Sequence, residues 1–157
     1  MCAIVDANVA SEVFGSDRPP AGKRFFDWLS SPRGQLVVGG KLREELARDQ
    51  RFVRWLGSAL RNGRARSVTD EAVDDHATGL RKEGVCKSND VHVLALALVS
   101  GARLLYTNDT ALIDDFGNRA IVARPRGKIY TTARNTAVTD AHRRLLAARD
   151  LCRVPRG

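Results

Sequence analysis

Ala3-Ile4-Val5-Asp6 places three apolar residues directly before a carboxylate. A run this short and this uniformly apolar reads as a buried strand, with the acid at its carboxyl end. Two further runs share the character: Leu36-Val37-Val38, released by Gly39-Gly40, and Leu104-Leu105-Tyr106-Thr107. Ile121-Val122 predicts one more strand, Val68 marks a short extended piece, and Pro125 to Lys128 reads as a turn.

Helical patterns fill the intervals. A short helix follows Asn8 and ends at Gly15. Pro19-Pro20 opens the next, which Ser30-Ser31-Pro32 closes. From Lys41 to Leu60 a single long helix is expected, with Leu42, Leu46, Val53, Leu56 and Leu60 on one stripe. Thr69 to Leu80 reads as helical, and Ser88 suits the N-cap of a helix from Asn89 to Ser100 with Gly101 as its stop. Ala111 to Phe116 and a basic segment from Asp140 to Cys152 complete the set. Buried strands alternating with helices predict an α/β fold with a mainly parallel sheet. Ligands of such sheets bind beyond the carboxyl ends of the strands.

Length and composition narrow the class. The 157 residues suffice for one domain with a core that needs no staples. An apolar share of 43% and a charged share of 28% exclude collagen, coiled-coil arrays and disordered tails. The longest apolar run, Val91 to Val99, is interrupted by His92 and falls short of the roughly 18–20 residues a membrane span requires. No basic stretch precedes the first apolar residues, so no signal peptide and a cytoplasmic location are expected. Cys2, Cys86 and Cys152 are odd in number, far apart and without a Cys-x-x-Cys pair; reduced thiols are the expectation.

The net charge of +8 is unevenly placed. Residues 1–118 balance at 16 basic and 16 acidic side chains, whereas residues 119–157 hold ten basic and two acidic ones. Such asymmetry points to a polyanionic partner, nucleic acid or an acidic protein, against the plainer alternative of a solvated basic face.

Three acids are expected at one rim of the sheet. Asp6 ends the first strand, Asp109 follows the strand Leu104–Thr107, and Asp90 sits in the first turn of the helix capped by Ser88. Asp90 could simply favour the helix dipole, and Asp109 could serve a turn. Asp6 is harder to excuse, because a carboxylate in a buried strand costs several kcal/mol unless paired or bound to a cation. On the following helix Glu45 lies about 60° from the apolar stripe and Glu44 about 160°, so Glu45 borders the core. Asp49 falls on the stripe and could back the site. Converging carboxylates raise one another's pKa unless a hard cation intervenes, and all-oxygen ligation selects Mg²⁺ or Mn²⁺.

These motifs, in the order Ile-Val-Asp6-Ala-Asn8-Val, Arg43-Glu-Glu45-Leu, Ser-Asn-Asp90-Val-His-Val-Leu-Ala-Leu-Ala and Leu-Leu-Tyr-Thr107-Asn-Asp109-Thr, resemble those of the PIN-domain nucleases, VapC-like toxin ribonucleases among them. The resemblance runs from the N-terminus to about Phe116. It implies a three-layer α/β/α sandwich with a mainly parallel sheet. A PIN-like domain is expected over residues 1–131; the basic tail after Arg124 lies outside the matched pattern, and residues 132–157 are expected as a basic helical extension packed on the same domain. The resemblance further implies Asp6, Glu45, Asp90 and Asp109 as an acidic quartet binding Mg²⁺ or Mn²⁺, supported by Asn8 and Thr107, and metal-assisted hydrolysis of RNA.

Arg43, Arg48, Arg124, Arg126 and Lys128 are the cations expected to hold RNA phosphates. Many family members are toxins paired with an antitoxin protein, and that is the preferred biology; an RNA-processing or defence nuclease is the alternative. Trp55, off the apolar stripe, is expected against a neighbouring element or a second subunit, which keeps a homodimer open. Two rival readings are a non-catalytic nucleic-acid-binding module and a receiver-type signalling domain. The latter lacks its expected pair of acids early in the chain.

Overall fold

The computed structural model describes residues 1–153. Five short strands form: β1 (Ile4–Val5), β2 (Leu36–Val38), β3 (Ala65–Ser67), β4 (Leu104–Tyr106) and β5 (Lys128–Tyr130). Every paired strand runs parallel to its neighbour, β1 with β4, β4 with β5, and β2 with β3. A parallel bridge from Ala3 to Leu36 joins the two groups, with Ala3 N–H donating to Gln35 O and Val37 N–H to Ala3 O, both at 2.9 Å. The resulting order is β3-β2-β1-β4-β5. The chain leaves β1 toward one edge and returns on the other side, so the order reverses between β1 and β4. That is where an open α/β sheet leaves a crevice.

Eight α-helices surround the strands: α1 (Ala10–Phe14), α2 (Pro20–Leu29), α3 (Gly40–Leu46), α4 (Gln50–Arg61), α5 (Asp70–Glu83), α6 (Val91–Ser100), α7 (Thr110–Phe116) and α8 (Asp140–Ala147). One contacting set joins α1 to α2 and α4, and α2 to α8; another joins α3, α5 and α6. The protein is thus mixed α/β with parallel pairing, an arrangement compatible with the expected sandwich. Ile4, Val5, Leu36, Val37, Val38, Leu104, Leu105 and Tyr106 are all buried, which explains why their runs do not alternate. Helix α6 is buried on nearly every side, as its uniformly apolar sequence requires.

Four expectations need correction. The long helix breaks in two at Ala47–Asp49. Asp49 accepts the Arg51 N–H at 2.8 Å and caps α4, so its carboxylate serves the backbone instead of backing the site. The break resets the helical phase: Phe52, Leu56 and Ala59 turn inward, leaving Val53 and Leu60 42% and 37% exposed. Trp55 packs on a neighbouring element, its ring 5.1 Å from that of Phe14.

Ile121-Val122 is no strand. Both N–H groups return to Asn118 O at 2.9 Å, closing a turn after α7 that is exposed over 118–120 and buried at its end. The outer strand is instead Lys128–Tyr130, whose first two residues are exposed and half-buried as befits a sheet edge. Helix α8 stops at Ala147, and the chain beyond it adds an antiparallel bridge between Cys152 and Ala102. Arg103 N–H donates to Leu151 O and Arg153 N–H to Gly101 O at 2.8 and 2.7 Å.

That bridging segment overturns the reading of reduced thiols. It carries Cys152 to the start of β1, where it forms a disulfide with the buried Cys2, the two Cα atoms 5.1 Å apart. A separation of 150 residues gives no local spacing from which the pair could be read. Cys86 remains a free thiol.

Labelling with a maleimide should therefore modify one cysteine per chain after denaturation without reductant, and all three after reduction. Cys2→Ser should lower stability in urea by on the order of 3–5 kcal/mol, the chain-entropy effect of closing so long a loop, and reductant should lower the wild type equally. Three reactive thiols in the unreduced protein would contradict the pairing.

Candidate functional site

The carboxyl ends of β1 and β4 meet through one hydroxyl. Asp6 follows β1, its N–H donating to Tyr106 O at 2.9 Å, and is only 5% exposed. Thr107 follows β4 and is fully buried. Its Oγ1 donates to Asp6 Oδ2 at 2.8 Å and accepts the Asp109 N–H at 3.1 Å. Thr107 thus links the Asp6 carboxyl to the loop that carries Asp109. Burial pushes the Asp6 carboxyl above its ordinary pKa, the Thr107 hydrogen bond opposes that rise, and charge repulsion from Asp90 and then Asp109 adds to it. Asp90 and Asp109 therefore lie within electrostatic reach of Asp6.

The other two acids of this trio occupy helix starts. Asp90 is the N-cap of α6 rather than a first-turn residue; Ser88 Oγ accepts its N–H at 2.9 Å, while its own carboxylate caps nothing. Asp109 is the N-cap of α7, where Oδ1 accepts the Leu112 N–H at 3.0 Å. One oxygen of Asp109 thus caps a helix, where its sequence context suggested a turn. Both carboxylates stand where the helix dipole favours negative charge.

Glu45 on α3 turns inward and Glu44 faces solvent. Glu45 Oε1 approaches His92 Nε2 to 2.6 Å, although the alignment falls short of a hydrogen bond. His92 lies two residues beyond Asp90 on α6, so Glu45 reaches the acidic group through the first turn of that helix. Gly40 makes the turn from β2 into α3 possible, because its φ of +59° is left-handed and a Cβ there would meet Val73 Cγ1 at 2.8 Å. Asp70 Oδ1 fixes the same turn by accepting the Gly40 N–H at 2.8 Å.

The expected cations divide. Arg43 lies at the acidic rim, its Nη1 donating to Oγ of Ser67, the last residue of β3, at 3.0 Å. Asn8, on the 3₁₀ turn after Asp6, and Arg48, between α3 and α4, are exposed. Lys128 pairs in register with Leu104, the first residue of β4, so Arg124, Arg126 and Lys128 stand at the opposite end of the sheet from Asp6.

Several residues escaped the sequence reading. Glu12 on α1 accepts from Tyr106 Oη at 2.7 Å, from Thr132 Oγ1, and from Asn108 Nδ2 at 3.4 Å. Asn108 Oδ1 in turn accepts from Thr131 Oγ1 at 2.7 Å and from Thr132 N–H at 2.9 Å. This network ties the loop carrying Asp109 to α1 and to the end of β5. Burial and then the Glu12 contact push the Tyr106 phenol far above its ordinary pKa, so it remains a donor. Asp115, 2% exposed, accepts the N–H groups of Lys87 and Ser88 at 3.0 and 2.8 Å and so anchors the loop leading to Asp90. Its position, three residues after Leu112 and beside Phe116, was a usable signal of an inward acid.

Among the described residues no three His, Cys, Asp or Glu side chains form a ready-made metal cage. The chemistry of the donors nonetheless fits a hard dication: Asp6 is buried, bears the repulsion of two neighbouring carboxylates, and stands where the strand order reverses.

The direction of the Asp6 shift fixes a pH dependence. A folded pKa above the unfolded value means that the folded state binds the proton more readily, so stability falls as pH rises through the folded pKa. In EDTA at pH 7.5, Asp6→Asn should therefore be more stable than wild type, with the gap closing as pH drops through the raised Asp6 pKa. Urea titrations across pH 4–8 measure it; a constant gap would mean that Asp6 is not the source.

Compared with protein-family models, curated proteins and solved structures, the chain finds no match.

Proposed function

We propose that this chain is a Mg²⁺- or Mn²⁺-dependent endoribonuclease of the PIN-like class, hydrolysing RNA phosphodiester bonds. The observation that carries the reading is the buried Asp6, bridged to the Asp109 backbone by Thr107 and repelled by Asp90 and Asp109, at the point where the strand order reverses. The motif resemblance supports it, as does the inward turn of Glu45 toward the start of α6.

Asp6, Asp90 and Asp109 would hold the cation, with Glu45 binding it as well or orienting the attacking water. When bound, the cation supplies an activated water at neutral pH and neutralises charge on the scissile phosphate. The chain's own contribution is positional. Thr107 keeps the Asp6 carboxylate turned toward the Asp109 loop, the Glu12–Asn108–Thr132 network stiffens that loop, and Asp115 fixes the approach to Asp90. Arg43 is placed to meet a substrate phosphate at the acidic rim, without reading its base.

The preferred biology, resting on the resemblance alone, is a toxin neutralised by an antitoxin protein; a cytoplasmic location loses the support of reduced thiols to the Cys2–Cys152 bond. No helix among the described residues is long and apolar enough to cross a membrane.

Cleavage of an end-labelled RNA pool in Mn²⁺ or Mg²⁺ tests the activity. Wild type should cut, EDTA should abolish cutting, and Asp6→Asn/Asp90→Asn should lose at least about 100-fold, as expected when charge stabilisation at the reacting phosphate is removed. Mn²⁺ should also raise the melting temperature of wild type and not of the double variant. Cleavage that survives either the chelator or the substitutions rejects the site. Tight, salt-sensitive RNA binding without cleavage indicates the non-catalytic binding module.

A further inference from the structure

A groove of about 990 Å³ runs along α7, bounded by Lys87 on one side and by Arg119, Arg126 and Lys128 on the other. Helix α7 begins at the Asp109 cap and spans roughly 10 Å at 1.5 Å per residue. On α7 the groove is lined by Ile113, Asp114 and the turn Gly117–Asn118, so it lies along the second half of the helix, toward the end of the sheet opposite the acids, and Lys87 is its link to the acidic rim. At its upper end Lys87 stands three residues before Asp90, on the loop that Asp115 holds by two backbone hydrogen bonds. Its lower end is shaped by Gly127, where a Cβ would collide with Phe116 O, so the chain entering β5 lies directly against the end of α7.

Charge distinguishes this groove. Four cations face one acid, Asp114, which pairs weakly with Lys87 at 3.7 Å where both side chains are more than half exposed. No aromatic ring lines it, so base stacking is not its means of recognition. Arg126 has a structural use, donating Nε–H to Gly117 O at the end of α7. Arg119 and Lys128 make no side-chain hydrogen bond or ion pair among the described residues that would give them such a use.

We infer that the groove along α7 is a phosphate track that carries the RNA strand away from the acidic site. This rests on the ribonuclease reading and extends it: the substrate is a strand that continues several nucleotides to one side of the cut, held there through its backbone. The track gives the basic residues along α7 a use: Arg43 is the cation at the rim, and those of the groove hold the polyanion beyond it. Interactions of this kind set affinity and salt dependence without sequence preference.

The test measures binding of a labelled, mixed-sequence single-stranded RNA in EDTA, across a salt series, by fluorescence anisotropy. Arg119→Gln/Lys128→Gln should weaken binding about tenfold and flatten the salt slope by about 0.7 for each phosphate no longer neutralised. Asp114→Asn, which removes the only acid of the groove, should tighten binding several-fold; its exposed position makes it safe for folding. Affinities and slopes equal to wild type in both variants, with unchanged melting temperatures, would overturn the track. Metal-dependent cleavage by wild type beside unaltered groove variants rejects the track alone. Altered binding by those variants in a chain that never cleaves supports the track as a nucleic-acid site and rejects the ribonuclease reading.

Discussion

A carboxyl group with almost no access to water is the constraint around which this structure is arranged. Asp6 is held by the Thr107 hydroxyl and the Ala7 backbone, and both favour its charge. Burial and two neighbouring acids oppose it. Few folds keep such a group without a use, because replacing it by an amide would relieve the repulsion. The same hydroxyl positions the Asp109 amide, so the ends of β1 and β4 cannot shift independently.

The acids of this chain divide by what their oxygens accept. Asp49, Asp70 and Asp115 take backbone N–H groups and thereby hold a helix start, a turn and a loop. Asp109 does so with one oxygen. Asp6 and Asp90 sit at cap positions yet make no capping bond. The structural acids surround the uncommitted ones: Asp70 at the turn into the Glu45 helix, Asp115 under the approach to Asp90, and Glu12 beneath the Asp109 loop. Rigidity around the crevice thus comes from hydrogen-bonded carboxylates as much as from apolar packing.

Much of this was legible in the sequence, and the residues say why. Strands buried on both faces announce themselves as uniform apolar runs, so β1, β2 and β4 could be read, and with them the rim that holds Asp6 and Asp109. Edge strands lack that signature. Lys128-Ile129-Tyr130 looks like the end of a turn, and the more apolar Ile121-Val122 is a turn that happens to be buried. The break before α4 was hidden because Asp49 fitted the apolar stripe as well as it fits a cap. Partners far apart in sequence left no trace. Glu12 meets Thr132, Asp115 meets Ser88, and His92 meets Glu45 only once the sheet has ordered the connections.

The bond between Cys2 and Cys152 changes what kind of object the backbone is. With those residues joined, the intervening chain is a covalent ring, and the first strand and the last segment are no longer free ends. A single cut at an exposed turn, such as the left-handed Gly84 after α5, would leave two pieces held as one molecule through sulfur. The ring also fixes which strands can fray. The start of β1 is tied to the segment that pairs beside β4, so the two strands bearing Asp6 and Thr107 are closed off at the end opposite the crevice. Opening of the sheet is thereby confined to its outer strands, β3 and β5, while the central pair stays registered.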